Sequence, residues 1–249
     1  MAGKIITAFH ALLILSFSLS GCISENNKSN YSSDNSSSEV PEYFEDGIFT
    51  CVDHDNLTRC WQTHIPENLD PTTSVPLIVD MHGFGSDSTE QKHMSAFDSI
   101  ADDEGLIVVY PDGDSSVDKL TGNVNQAWNA GWCCSHSVNE DIDDVGFIEK
   151  MIEVVIEKYN VDTNRIYASG WSNGCAMSQR LAMESSHIFA AVGCMSMYLL
   201  TEHTTNYSPI PVMEVHGFLD QVVLYESTVM SVPWNEEMWK NPEAYDTGA

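Results

Sequence analysis

Gly170-Trp171-Ser172-Asn173-Gly174 fits the pattern G-x-S-x-G. The residues before it, RIYASGWS (165–172), read as a strand, and residues 173–188 read as a helix. Between a strand and a helix, Ser172 is expected on a tight turn with its hydroxyl exposed above the sheet. Flanking glycines let the two backbones crowd together without Cβ clashes. That placement suits a nucleophile attacking an acyl carbon. The plainer alternative is a glycine-rich turn that only packs, and a bare G-x-S-x-G does not separate the two.

Two further segments do. His82-Gly83-Phe84-Gly85 follows the short apolar run VPLIVDM (75–81). Acyl attack makes a tetrahedral oxyanion, which needs backbone N–H donors already in place. Asn173, directly after the nucleophile, is expected to supply one and Phe84 the other. His82 reads as a brace for this loop rather than a base. His216-Gly217-Phe218-Leu219-Asp220 follows the run PIPVMEV (209–215). A carboxylate at the carboxyl end of a later strand is where the chain order Ser, Asp, His expects its acid, so Asp220 is the candidate. The alternative for Asp220 is a turn or helix cap.

The elements that must hold these residues are legible in outline. GIFTCV (47–52) and RCWQTHI (59–65) read as a hairpin around the turn VDHDNLT. VPLIVDM is a buried strand, residues 88–104 a helix, and LIVVYPDG (106–113) a strand with a turn. Residues 114–140 form a long loop carrying QAWNAGWCC, and residues 141–159 a helix with acids in its first turn. There Asp143 and Asp144 are expected to cap the helix and order the loop. FAAVGCMS (189–196) and PIPVMEVHG (209–217) supply two more strands. Strands alternating with helices predict an α/β fold, a mainly parallel sheet with helices on both faces, preceded by an N-terminal β-hairpin. No internal repeat is present. Trp128, Trp132 and Trp171 fall near the expected site, and Trp132 and Trp171 are the candidates for lining a substrate cleft.

HGFG, YPDG, AWNAGWCC, DDVGFI, RIYASGWSNG and VHGFLDQVV occur in that order. Together they resemble the serine esterases of the polyhydroxybutyrate depolymerase and feruloyl esterase family, over residues 47–249. The resemblance implies an α/β-hydrolase fold and hydrolysis of carboxylic esters, on polymers or plant phenolics, through an acyl-enzyme intermediate. It implies no cofactor, and the sequence shows no spaced metal-ligand loop, so no metal is expected. It also implies Ser172 as nucleophile, Asp220 as acid, and Phe84 and Asn173 beside the oxyanion. One feature departs from the family: its members carry the catalytic histidine after the acid, and here all nine histidines (10, 54, 64, 82, 93, 136, 187, 203 and 216) precede Asp220. Three accounts follow. The chain is incomplete at the C-terminus, its closing NPEAYDTGA reading as the approach to a further helix; or His136 or His203 substitutes; or the protein is an inactive, lipid-anchored polymer-binding protein on a hydrolase scaffold. Losing a triad histidine costs on the order of a million in kcat, so the first account expects little turnover from these residues alone.

Composition narrows the setting. The 249 residues carry 37 acidic and 10 basic side chains, a net charge of −27, which disfavours nucleic-acid partners. At 43% hydrophobic the chain is not wholly disordered. No spaced ligand loop accompanies the acids, so they read as a solvated surface. Lys4 precedes the apolar run IITAFHALLILSFSL (5–19), too short to span a membrane comfortably, and Leu19-Ser20-Gly21-Cys22 resembles the lipobox of prokaryotic lipoproteins. The expected organisation is a signal peptide (1–21), then a lipid-bearing Cys22 with a Ser/Asn-rich tether (22–41), then the esterase domain (42–249). This places the protein outside the cytoplasm, on a membrane through its lipid or secreted. Six other cysteines fit an oxidising compartment. Cys51 and Cys60 are expected to pair across the hairpin. Cys133 and Cys134 lie too close in sequence to be easy partners for each other, and a bond from one of them to Cys175 is one alternative among the fifteen pairings that six cysteines allow, between which the sequence does not choose. With CxxC spacing absent, no zinc site is expected.

Overall fold

The computed structural model describes residues 49–67, 69–117, 124–201 and 207–225. The segments read as signal peptide, lipid-bearing Cys22 and tether lie outside these residues. No described helix is long and apolar enough to cross a membrane.

Among the described residues seven strands form one sheet in the order β1-β2-β4-β3-β7-β8-β9. β1 (Phe49–His54) and β2 (Leu57–His64) make the expected hairpin, and β2 pairs antiparallel with β4 (Ile107–Pro111). From β4 onward the pairing is parallel, through β3 (Val75–Met81), β7 (Val161–Trp171), β8 (Ala191–Met195) and β9 (Val212–Val215). The hairpin turns on Asp55 and Asn56, both at positive φ (49° and 63°). Such two-residue turns match the twist of the flanking strands, and Asn and Asp tolerate them. Cys51 and Cys60 sit opposite each other in the ladder and are disulfide-bonded.

The sheet is covered on both faces, and the alternation of its central strands shows why. Leu77, Val79 and Met81 of β3 join Ile107 and Val109 of β4 in the larger core. There they meet Phe147, Ile148, Met151, Ile152 and Val155, one face of the helix Asp144–Lys158. Ile78 of β3 with Val108 and Tyr110 of β4 points the other way, onto Ala101 and Phe97. Residues with period two therefore serve two cores at once, as strands buried on both faces require.

Three expectations are corrected. The helix expected over residues 88–104 is two, α1 (Ser88–Ser95) and α2 (Phe97–Glu104), broken at Ala96 with φ 53°. The loop 114–140 contains a small hairpin, β5 (Asp114–Val117) with β6 (Val124–Ala127), and a short helix, α3 (Ser135–Asn139). The cysteines pair differently too: Cys133 bonds Cys134 and Cys175 bonds Cys194. The next helices are α4 (Asp144–Lys158) and α5 (Asn173–Glu184). Cys175, on α5, faces the strand it packs against, so Cys194 of β8 meets it rather than the loop.

Candidate active site

β7 ends at Trp171 and α5 begins at Asn173, leaving Ser172 alone at the junction with φ 53° and ψ −119°. A non-glycine residue held at positive φ costs on the order of 1–3 kcal/mol, maintained by its surroundings. Those surroundings are specific. The Ser172 N–H donates to the carbonyl of Met195 on β8 at 2.9 Å. A Cβ on Gly170 would lie 2.5 Å from the backbone of Gly174, and one on Gly174 would lie 2.5 Å from the carbonyl of His82. Glycine at both positions is what lets strand and helix approach. The Ser172 side chain makes no capping bond to α5, so its hydroxyl stands clear of the helix it precedes.

The loop after β3 lies against this turn. A Cβ on Gly83 would meet the indole ring of Trp171 at 3.0 Å. His82 is fully buried; its Nδ1 donates to the carbonyl of Gly83 at 2.7 Å and its Nε2 accepts from Gly113 N–H at 2.9 Å. Accepting at Nε2 requires the neutral ring, and burial holds its pKa down, at about 4. His82 is thus the brace the sequence suggested. Neither Phe84 nor Asn173 donates its N–H to a backbone carbonyl among the described residues.

Asp220 approaches from β9. Trp171 pairs with Met195, and Met195 with Val215, so Ser172 and His216 leave the sheet at one level, two strands or about 10 Å apart. Four residues on, Asp220 Oδ1 accepts from the N–H groups of Val222 (2.8 Å) and Val223 (3.0 Å). The His216 side chain is buried between Tyr198 and Tyr225, with Nε2 on the carbonyl of Val223 (2.7 Å) and Nδ1 on Glu214 (3.1 Å). It shapes the loop that carries Asp220.

No described histidine hydrogen-bonds Ser172. His54 lies on Asp143, His64 on Asp102 and His136 on Asp114. The Asp114–His136 pair has the form of a dyad, but His136 Nδ1 is buried without a partner, closed to a substrate. His203 lies outside the described residues. Trp171 is exposed beside the nucleophile at 39%, and Trp132 is half-buried on the same loop as Trp128. Trp128 itself is fully buried, which removes it from any cleft.

Sequence reasoning missed the polar frame around the site. Arg59 and Asp144 form a buried ion pair at 2.6 Å, and Asp144 also accepts from Asn129 N–H at 2.6 Å. Asp143 caps α4 through Gly146 N–H at 2.9 Å, so both aspartates do what their position implied. The available signal for the pair was Arg59 itself, a lone cation in its strand two residues before the buried Trp61.

A mainly parallel sheet covered on both faces, with a serine on a strained strand-to-helix turn and a glycine loop beside it, defines an α/β-hydrolase. The chain belongs to the Esterase PHB depolymerase family, which matches residues 66–236. It is 26% identical over 184 residues to the bifunctional acetylxylan esterase/xylanase XynS20E of Neocallimastix patriciarum, covering 74% of this chain and 25% of that protein. It is 28% identical over 172 residues to feruloyl esterase B of Piromyces equi, covering 67% of this chain and 30% of that protein. The chain thus spans less than a third of the length of either relative. Among solved structures, a thermostable esterase shares the fold with a TM-score of 0.53 at 19% identity, over 73% of this chain and 49% of that one.

Proposed function

We propose that the protein is a serine esterase that hydrolyses carboxylic esters through an acyl-enzyme intermediate. The observation that carries this is Ser172, held at positive φ on a turn that only glycines permit, its hydroxyl bonded to nothing in the helix it precedes. In this reading Ser172 Oγ attacks the carbonyl carbon. The N–H groups of Phe84 and Asn173 receive the oxyanion, and the alcohol leaves. Water then releases the acid.

Asp220 orients the histidine that acts as base. Among the described residues no histidine hydrogen-bonds Ser172, and both nitrogens of His82 and of His216 are already engaged. The relatives' names point to feruloyl or acetyl groups on plant polysaccharide, and the family name to a polyester. Trp171 and Trp132 would line the substrate cleft. A signal peptide (1–21), a lipid on Cys22 with its tether (22–41) and the esterase domain (42–249) would place this chemistry outside the cell membrane. Three disulfides fit that compartment.

The test is hydrolysis by the native protein of 4-nitrophenyl butyrate, methyl ferulate, acetylated xylan and polyhydroxybutyrate film, beside Ser172→Ala. Turnover of at least one ester, lost by about a million-fold in the variant, is expected. Turnover undiminished in Ser172→Ala would overturn the assignment.

A further inference from the structure

One short stretch of chain holds both halves of the proposed oxyanion hole. On one side, the backbone N–H of Trp128 donates to Asn173 Oδ1 at 2.8 Å. Asn173 Nδ2 donates back to the carbonyl of Trp128 at 3.1 Å and to that of Cys133 at 3.4 Å. On the other side, the indole Nε1–H of Trp128 donates to the carbonyl of His82 at 2.9 Å, two residues before Phe84. The carbonyl of Gln126 accepts from Gly85 N–H at 2.8 Å, one residue after Phe84. Phe84 is therefore flanked by bonds to residues 126–128, and the same residues grip the side chain of Asn173.

Packing alone does not account for these residue types. Trp128, Asn173 and His82 are all fully buried. An apolar side chain at 173 would fill space without needing three partners, and a phenyl ring at 128 would fill most of the indole's volume. A buried amide is tolerated only when its polar atoms are matched, and matched networks of this kind fix a single geometry. The stretch is itself fixed from behind, since Asn129 N–H donates to Asp144, which Arg59 holds. Oxyanion stabilisation depends on donors placed before the charge develops, and small misplacements are costly in rate.

Resting on the esterase reading of Ser172, we infer that Trp128 and the side-chain amide of Asn173 are positioning residues. They set the separation between the N–H of Phe84 and the N–H of Asn173. Neither touches the substrate. Trp128 acts through His82 and Asn173, and the Asn173 amide acts on its own backbone.

The experiment compares native protein with Trp128→Phe, which keeps a ring and loses the indole N–H, and Asn173→Ala, which keeps the backbone donor and loses the amide. Two quantities are read: kcat and KM on 4-nitrophenyl butyrate, and the affinity of a trifluoromethyl ketone, whose hemiketal oxygen must occupy the hole. Each variant should lose roughly 10–100-fold in kcat with KM within about threefold, less than loss of a whole donor. Ketone affinity should fall in step. An active native protein whose variants keep full kcat, or lose kcat without losing ketone affinity, would overturn the inference and leave the esterase reading intact. Loss of cooperative melting in both variants would assign the clasp to folding and also overturn it. Native protein inert to esters and to a fluorophosphonate would remove the esterase reading, and the clasp with it.

Discussion

Asp220 holds one carboxylate oxygen, Oδ2, 3.7 Å from Nε2 of His216, too far for a hydrogen bond, while its other oxygen is anchored on Val222 and Val223. The His216 ring cannot close that gap, because Nε2 is engaged by the carbonyl of Val223 and Nδ1 by Glu214. One oxygen thus fixes the carboxylate, and on the proposed esterase reading the other is the one that meets the base.

Asp220→Asn separates those two jobs. The amide oxygen still accepts from Val222 and Val223, so the loop and the melting temperature should be preserved. The remaining position becomes a donor and no longer orients an imidazole. On the proposed esterase reading a fall of about 10⁴-fold in kcat is expected, the size seen when the acid of a serine-protease triad becomes its amide, measured on 4-nitrophenyl butyrate. A loss of only a few-fold would leave Asp220 as a turn former.

The Arg59–Asp144 pair predicts a paired stability effect. Arg59→Met strands the buried Asp144 carboxylate, and a loss of about 3–5 kcal/mol is expected by urea unfolding. Arg59 also lies 4.2 Å from the ring centroid of Phe147, so some lost packing is included. Adding Asp144→Leu should restore only part of the loss, because it removes the stranded charge but leaves the buried Asn129 N–H without its acceptor. A double variant as unstable as the single one would show that packing, not charge, dominates.

How much of this was legible in sequence follows from where the determining forces lie. The hairpin, the nucleophile turn, the two HGF loops and the helix cap at Asp143 are written in local chemistry, in glycines and side chains that bond their own backbone. The two-faced burial of Leu77 to Met81 and Ile107 to Tyr110 is written in period-two hydrophobicity. The break at Ala96 is not, since nothing in its residue type marks a left-handed conformation. Cysteine pairing needs positions in space: Cys175 and Cys194 meet only because α5 lies on β8. Arg59 and Asp144 are 85 residues apart in sequence, and Trp128 is buried because its indole N–H finds a carbonyl inside.

A second buried acid gives a pH signature. Asp80 on β3 is buried, accepts from Gln91 Nε2 at 3.0 Å through Oδ2, and has no partner for Oδ1; Gln91 Oε1 also lacks one. Burial pushes its pKa up to about 6, above the ordinary 3.8. The folded state therefore binds the proton more tightly than the unfolded one. That contribution is fully present below about pH 3.8 and is lost as pH rises through about 6. Asp80→Asn removes the ionisation and offers an amide N–H toward Gln91 Oε1. It should stabilise the protein by about 3 kcal/mol at pH 8 and by about half that at pH 5, read from urea unfolding. An equal effect at both pH values would show that Asp80 does not titrate in this range.

The most direct test is covalent. Native protein is incubated with a fluorophosphonate, then weighed intact and mapped by peptide mass. The account predicts one adduct, on the peptide carrying Ser172, and none in Ser172→Ala. A folded native protein that takes no label, or takes it on another residue, would contradict the assignment of Ser172 as the nucleophile.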